Sequence, residues 1–214
     1  PGDSASSYYR AGRELFGFAP SVVLPLSKRV KVGAGIKLKS VTTPVPDTLF
    51  IGVDQPYGSP AFGEAGFTGQ FTLDTRDVHG APRHGILATL DGAWYPWVRD
   101  GSGAFGTLSG SIATYLTPPW WNSMTVAARV SGTHTDGDVP YFEAAFIGGG
   151  RTVRGLPMGR YEGNQAVFAN LDLRLRVSRV TFVLPWDFGV LGLADLGRVF
   201  VDGEQSDTWH PSFG

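Results

Sequence analysis

The sequence predicts an all-β chain, an antiparallel transmembrane β-barrel, on three observations. Apolar and polar residues alternate with period two over long stretches. These stretches run about 11 to 13 residues, where soluble strands average about 5 to 6 and tilted membrane strands need about 9 to 11. Trp94, Tyr95, Trp97, Tyr115, Trp120, Trp121 and Trp186 fall at strand ends or turns, the positions of interfacial girdles. Gly 30 and Pro 15 among 214 residues favour strands and turns over helices.

Eight strands are predicted in order. The first spans about 14–26, with Phe16, Phe18, Val22, Leu24 and Leu26 on one face. The second spans about 30–41, where Val30, Val32, Ala34, Ile36 and Leu38 alternate with Lys31, Gly33, Gly35, Lys37 and Lys39. A long Pro-, Gly- and Asp-rich loop follows. The third (about 63–75) and fourth (about 85–97) flank a turn at 76–83. The fifth (about 105–117) follows a turn at 100–103, and the sixth (about 123–132) follows Pro118–Asn122. Residues 133–163 have little periodicity and many glycines, so they read as a long loop. The seventh strand alternates most clearly: Val167, Ala169, Leu171, Leu173, Leu175 and Val177 oppose Asn170, Asp172, Arg174 and Arg176. The eighth spans about 189–201, and the chain then ends in a polar loop, 202–212. Short turns fall on one side and longer loops on the other, the asymmetry of an outer-membrane barrel.

A soluble sandwich shows the same alternation. The charges on the polar face argue for a wet lumen: Lys31, Lys37, Lys39, Asp91, Arg129, Asp172, Arg174 and Arg176 would each need a partner in a dry core. The apolar face then meets outer-membrane lipid. Net charge is -1 with scattered Lys and Arg, so no nucleic-acid partner is expected. Cysteine is absent, which excludes disulfides and Cys-ligated metals. No run of about 18 apolar residues forms a membrane helix. His79 and His84 beside Asp74 and Asp77 read as solvated turn residues, not a metal site. Asp136-Gly137-Asp138 lacks the further ligands of a calcium loop. No nucleophile elbow or Ser/His/Asp set is present. No catalytic residue, metal or cofactor is expected. Asp74, Arg76 and Asp77 could form a local salt-bridged turn, worth little where exposed.

The segment Gly148-Gly149-Gly150-Arg151-Thr152-Val153-Arg154-Gly155 stands apart. Its glycines allow positive φ and close approach of backbone. Arg154 is a permanently charged fork suited to a carboxylate, with Asp172 and Asp195 as candidate partners. No strand-to-helix context or Gly-Lys-Ser/Thr ending follows, so it is not a phosphate loop.

On these residues the chain resembles the BamA/TamA-type outer-membrane assembly and translocation barrels, the bacterial surface antigen superfamily. Val153-Arg154-Gly155 after the glycine cluster resembles the family's signature loop. Leu73-Asp74-Thr75-Arg76-Asp77 with Pro82-Arg83-His84-Gly85 resembles its Asp-Thr-Arg-Asp turn. Asn170-Leu171-Asp172-Leu173-Arg174 resembles its Glu-x-Arg strand, with Asp for Glu, and Leu193-Ala194-Asp195-Leu196-Gly197 resembles its Phe-x-Asp-x-Gly strand, with Leu for the aromatic. Leu156 stands where the family usually has Phe or Tyr. The resemblance implies a 16-stranded barrel, of which these eight strands are the sixth to thirteenth. The whole chain, 1–214, is then one partial barrel domain with no second domain. The seam strands and periplasmic POTRA repeats would belong to a longer parent. The loop at about 133–163 enters the lumen. Gly149, Gly150, Val153 and Gly155 form its signature, Arg154 is its anchor, and Asp195 is the first choice of acceptor, ahead of Asp172.

The implied function is non-enzymatic: insertion or translocation of proteins at a bacterial outer membrane or an organelle outer envelope. Its partners would be an unfolded or translocating client and periplasmic accessory subunits. The alternative is a membrane anchor or pore for a fused N-terminal hydrolase such as a patatin-like lipase. A soluble β-protein with coincidental motifs is the third reading.

Overall fold

A computed structural model of the chain describes residues 12–99, 103–181, 185–204 and 207–214, without the side chains of 179, 181 and 185–187. The strands are β1 (Glu14–Phe18), β2 (Ser21–Pro25), β3 (Val30–Thr42), β4 (Ala61–Asp74), β5 (Gly85–Val98), β6 (Phe105–Leu116), β7 (Met124–Gly137), β8 (Ala145–Ile147), β9 (Tyr161–Gly163), β10 (Gln165–Thr181), β11 (Pro185–Phe200) and β12 (His210–Phe213). Ten of them form one sheet in the order β1-β3-β4-β5-β6-β7-β10-β11-β12, with β2 also on β3; β8 and β9 form a separate two-stranded sheet. The pairings between sequential neighbours are antiparallel. The class is all-β, as the alternation predicts.

Period-two alternation sorts the side chains onto two faces. On β10, Phe168 and Asn170 are buried, whereas Leu171, Leu173 and Val177 are exposed. Ile36 and Leu38 on β3, Phe67 and Phe71 on β4, Leu108 and Ile112 on β6 and Val130 on β7 are likewise exposed. An apolar face of this extent is untenable in water and suits lipid, whose core asks only that backbone groups be paired within the sheet. The opposite, inner face carries the polar residues, and the loop between β7 and β10 lies against it.

Several boundaries differ from expectation. The first strand is broken into β1 and β2. Pro20 accepts a hydrogen bond from Ile36 N–H at 3.1 Å but has no N–H to return. Register survives the break, since Phe18 faces Leu38 and Ser21 faces Gly35. β7 continues to Gly137, five residues past the expected end, because Thr133 and Thr135 keep the alternation while polar outward positions blur it. The loop therefore begins after Gly137 and holds the β8–β9 hairpin. The long loop after β3 contains a helical turn, α1 (Phe50–Asp54). The expected terminal polar loop contains β12, which pairs with β11 from Gly197↔His210 to Ala194↔Phe213. Four residues that include a proline are too few to show a period.

The aromatic girdle is smaller than expected. Trp94, Trp97, Trp120 and Trp121 are exposed. Tyr95 is not: it is wholly buried on the inner face, its ring stacked on Phe105 at 4.5 Å. Alternation along β5 turns Trp94 outward and Tyr95 inward, and a register shift in the β4–β5 ladder, where Ala65 faces Trp97 but Phe67 faces Trp94, brings Trp97 out on the same side as Trp94. Tyr115 also points inward, lining a cavity with Arg129 and Arg154. The Trp186 side chain and the turn at 100–102 lie outside the described residues.

The turn between β4 and β5 is tightly built. Arg76 closes on Asp74 through Nε at 2.9 Å and Nη2 at 2.8 Å. Asp77 Oδ1 accepts the N–H groups of Arg83, His84 and Val78 at 3.0, 3.3 and 2.9 Å. Those donors, Arg83 first, hold the Asp77 carboxyl below the ordinary aspartate range. A depressed value means the contribution is present above the ordinary pKa of about 3.9 and lost as pH falls through the folded value. Asp77→Ala should therefore speed amide exchange at Arg83 and His84 at neutral pH, and the unmodified turn should approach that behaviour only in acid. Equal exchange in the two proteins at pH 7 would refute this.

Candidate functional site

The loop from 138 to 164 returns along the inner face and ends in a tight knot. Gly148 has φ 116°, and a Cβ there would sit 2.1 Å from the Pro157 carbonyl oxygen, so only glycine fits. Gly149 (φ 90°) and Gly155 (φ 92°) also use the left-handed region; Gly150 does not, and it borders open space. Gly149 N–H donates to Leu156 O at 2.9 Å. Thr152 Oγ1 accepts from Gly148 N–H at 2.7 Å and donates to Gly148 O at 2.9 Å. The knot is thus closed on itself before it meets the wall.

Two adjacent side chains fasten it to β10 and β11, and they point to different environments. Val153 is fully buried among Ala145, Ile147, Ala166 and Phe168. Gly197 of β11 makes that possible, because a Cβ there would lie 2.5 Å from Val153 Cγ2. Arg154 reaches the polar side. Its backbone N–H and its Nε both donate to Asp195 Oδ2, at 2.7 and 2.8 Å, and its Nη2 donates to Asp195 Oδ1 at 2.5 Å. Its Nη1 lies 2.7 Å from Asp172 Oδ1. The Asp195 fork pushes the Arg154 guanidinium above the usual arginine range against the opposing effect of burial, and Asp172 adds to the rise. Asp195 is 3% exposed, so its charge depends on these donors.

The structure thus brings together Arg154, Asp195 and Asp172. The shorter aspartate suffices at 172 because pairing Asn170 with Asp195 and Asp172 with Leu193 sets the two carboxylates diagonally across neighbouring strands, within reach of one guanidinium. Asn170, which the sequence reading left among the lumenal polar residues, is the hub of the seat. Its Nδ2 donates to Asp195 Oδ1 at 2.7 Å and Thr152 O at 2.6 Å, and its Oδ1 accepts from Arg129 Nε and Nη2 at 2.9 and 2.7 Å. Arg129 also donates to Arg151 O. The signal was present: Asn170 lies two residues from Asp172, on the same face of the strand. Arg129, Arg154, Asp172 and Arg174 border a cavity of about 230 Å³ on the inner side.

A second contact zone, which the sequence did not disclose, holds the outer limb of the loop. A 3-10 turn at Tyr141–Glu143 lies against β3 and β4. Phe142 packs edge-on to buried Phe62 at 5.5 Å. Tyr141 N–H donates to Tyr57 O at 3.0 Å, and the Tyr141 and Thr43 hydroxyls are 2.9 Å apart. Glu143 contacts Lys39.

The Omp85 superfamily domain matches residues 3–200. Among solved structures, the crystal structure of BamA from Haemophilus ducreyi lacking POTRA domains 1-3 superposes with a TM-score of 0.69 at 14% identity, over 94% of this chain and 44% of that one. The likeness is one of fold, and this chain spans less than half of that protein's length. No curated protein sequence matches the chain.

Proposed function

This chain belongs to the Omp85 superfamily, whose barrels lie in the outer membrane of bacteria or the outer envelope of organelles, and from that premise we propose that it forms part of a barrel that inserts or translocates other proteins. The observation that carries the proposal is the seat of Arg154. A segment of more than twenty residues is folded onto the inner face and fixed by one half-buried fork to two strands, β10 and β11. A loop held there couples whatever occupies the lumen to the strands that form the wall. Arg154 acts in this reading as the loop's anchor, with Asp195 and Asp172 as its acceptors and the glycines and Val153 shaping the knot. The work is conformational: strands part and re-pair, a client segment passes, and no covalent bond is made. Client chains, outer-membrane lipid and periplasmic accessory subunits are the partners this mechanism requires.

The test uses the full-length parent in lipid vesicles. Added vesicles should speed the folding of a denatured outer-membrane barrel client, scored by its heat-modifiable mobility, relative to vesicles without the protein. Equal rates with and without it, alongside correct insertion of the protein itself, would overturn the assembly reading and leave the barrel as an anchor or pore.

A further inference from the structure

Glu143, at the end of the 3-10 turn in the outer limb, meets two lysines that project from the inner face of β3. It contacts Lys39 Nζ directly and lies 3.6 Å from Lys37 Nζ. Glu64, on the inner face of the adjacent strand β4, has a fully covered side chain and lies 3.8 Å from Lys39 Nζ and 4.0 Å from Lys37 Nζ. Neither of its carboxylate oxygens is within hydrogen-bond distance of a lysine, and its other close neighbour is the Glu143 carboxyl itself. Lys37 donates instead to Tyr95 Oη at 2.6 Å, and Lys39 sits 4.4 Å from the centre of the Phe142 ring. Two carboxylates therefore share two ammonium groups. The one on the loop holds the close lysine contact and the one on the wall stands 3.8 and 4.0 Å from the same two groups.

A buried carboxylate lacking a donor is costly unless something else requires it. Here the same lysines already stand within 4.0 Å of Glu64 and can close on it once Glu143 leaves. The release of Glu143 thus does not leave the two half-buried lysines without a carboxylate. The Arg154 seat differs: Arg174 of the wall already bridges Asp172 at 3.1 Å, but among the described residues only Asn170 donates to Asp195 from the wall. The two seats also lie far apart in the sheet, on β3–β4 and on β10–β11, with β5, β6 and β7 between them. The loop spans the inner face like a strap with one fixed end and one end whose ionic partner can be exchanged.

We propose that Glu64 and Glu143 compete for Lys37 and Lys39, so that the outer limb of the loop is a releasable lid whose release leaves the Arg154 end in place. The proposal stands on this geometry and does not depend on the assembly activity. Opposite effects of the two carboxylates distinguish a competing pair from a merely structural cluster.

The experiment is amide hydrogen exchange on the full-length protein in lipid, with Glu143→Gln and Glu64→Gln compared in two peptides, 139–147 and 151–156. Glu143→Gln should raise exchange in 139–147 by about tenfold, the size expected for one charge-assisted contact, and leave 151–156 unchanged. Glu64→Gln should lower exchange in 139–147, because the lysines lose their alternative. A rise in 139–147 with both variants, or no change with Glu143→Gln, would overturn the proposal. Should Glu64→Gln fail to insert, Lys39→Gln serves as the second arm. It must raise exchange in 139–147, and the Lys39→Gln/Glu143→Gln double variant must add less than the sum of the two. A full additive increase would refute competition for a shared partner. Arg154→Ala should give the reverse pattern, with 151–156 freed first, so failure of the anchor reading can be told apart from failure of this one.

Discussion

Arg154→Ala is expected to free the tip of the loop and depress client insertion while the barrel still enters the membrane. The substitution removes a guanidinium from a carboxylate that is 3% exposed. Three of the donors to Asp195 come from Arg154, and one of these, the backbone N–H, survives only if the loop stays seated. Asn170 alone then donates from the wall. Breaking a buried pair by deleting one partner costs about 3–5 kcal/mol, which corresponds to roughly a hundredfold or more in the population of the unseated tip. Exchange in 151–156 should rise by that order, and the vesicle assay should lose most of its rate enhancement. Arg154→Lys should not restore it, because a point charge cannot reach both Asp195 oxygens and Asp172 at once. The raised guanidinium pKa places the sign: its contribution is complete at every pH below the ordinary arginine range. Raising pH from 7 to 9 should therefore not loosen the seat. An Arg154→Ala protein with the parent's exchange pattern and full insertion rate would remove the anchor from the mechanism.

Gly197→Val should unseat the same loop by bulk instead of charge. The added Cβ would meet Val153 Cγ2 at 2.5 Å, Phe168 Cβ at 3.2 Å and Ile147 Cδ1 at 3.4 Å, all within one packed cluster. Overpacking of this kind costs about 1–3 kcal/mol or more, and the ladder fixes β11, so the loop is the part that yields. The expected signature is raised exchange in 145–156 with Arg154 and both aspartates intact. Shrinking the opposing side chain, in Gly197→Ala/Val153→Ala, should recover much of the docking that Gly197→Ala loses. No recovery in the double variant would mean that Gly197 serves the strand and not the loop. Together the two variants separate the polar and apolar halves of a seat that Val153 and Arg154 fill from adjacent positions.

What could be read without coordinates follows from periodicity and from chemistry that is scarce. Alternation along β3, β4, β6 and β10 fixes which residues share a face, because a strand's side chains must alternate whatever the sheet around it does. The charged inner positions argued for a wet lumen, and Arg154, one of two arginines in a glycine-rich segment, had Asp172 and Asp195 as candidate partners; that the loop enters the lumen and meets the Leu193-Ala194-Asp195-Leu196-Gly197 strand was what the family resemblance implied. Where the period is short or interrupted, the sequence lost the thread. β12 is four residues long, β7 runs on through polar outward positions, and a register shift in the β4–β5 ladder put Trp97 on the same outer side as Trp94, with Tyr95 between them buried on the inner face.

The amino-acid sequence by itself determined the class, the two faces and the identity of the residues that could hold the loop, since these depend on neighbours two to four positions apart. Tertiary structure alone decided which distant groups meet. Asn170 became the hub of the seat only because β10 pairs with β7 on one side and β11 on the other. Glu143 came to rest on Lys39, 104 residues earlier in the chain, only because the loop crosses the intervening strands. Contacts of that separation are set by register and loop path across the whole sheet, and no local pattern of residues encodes them.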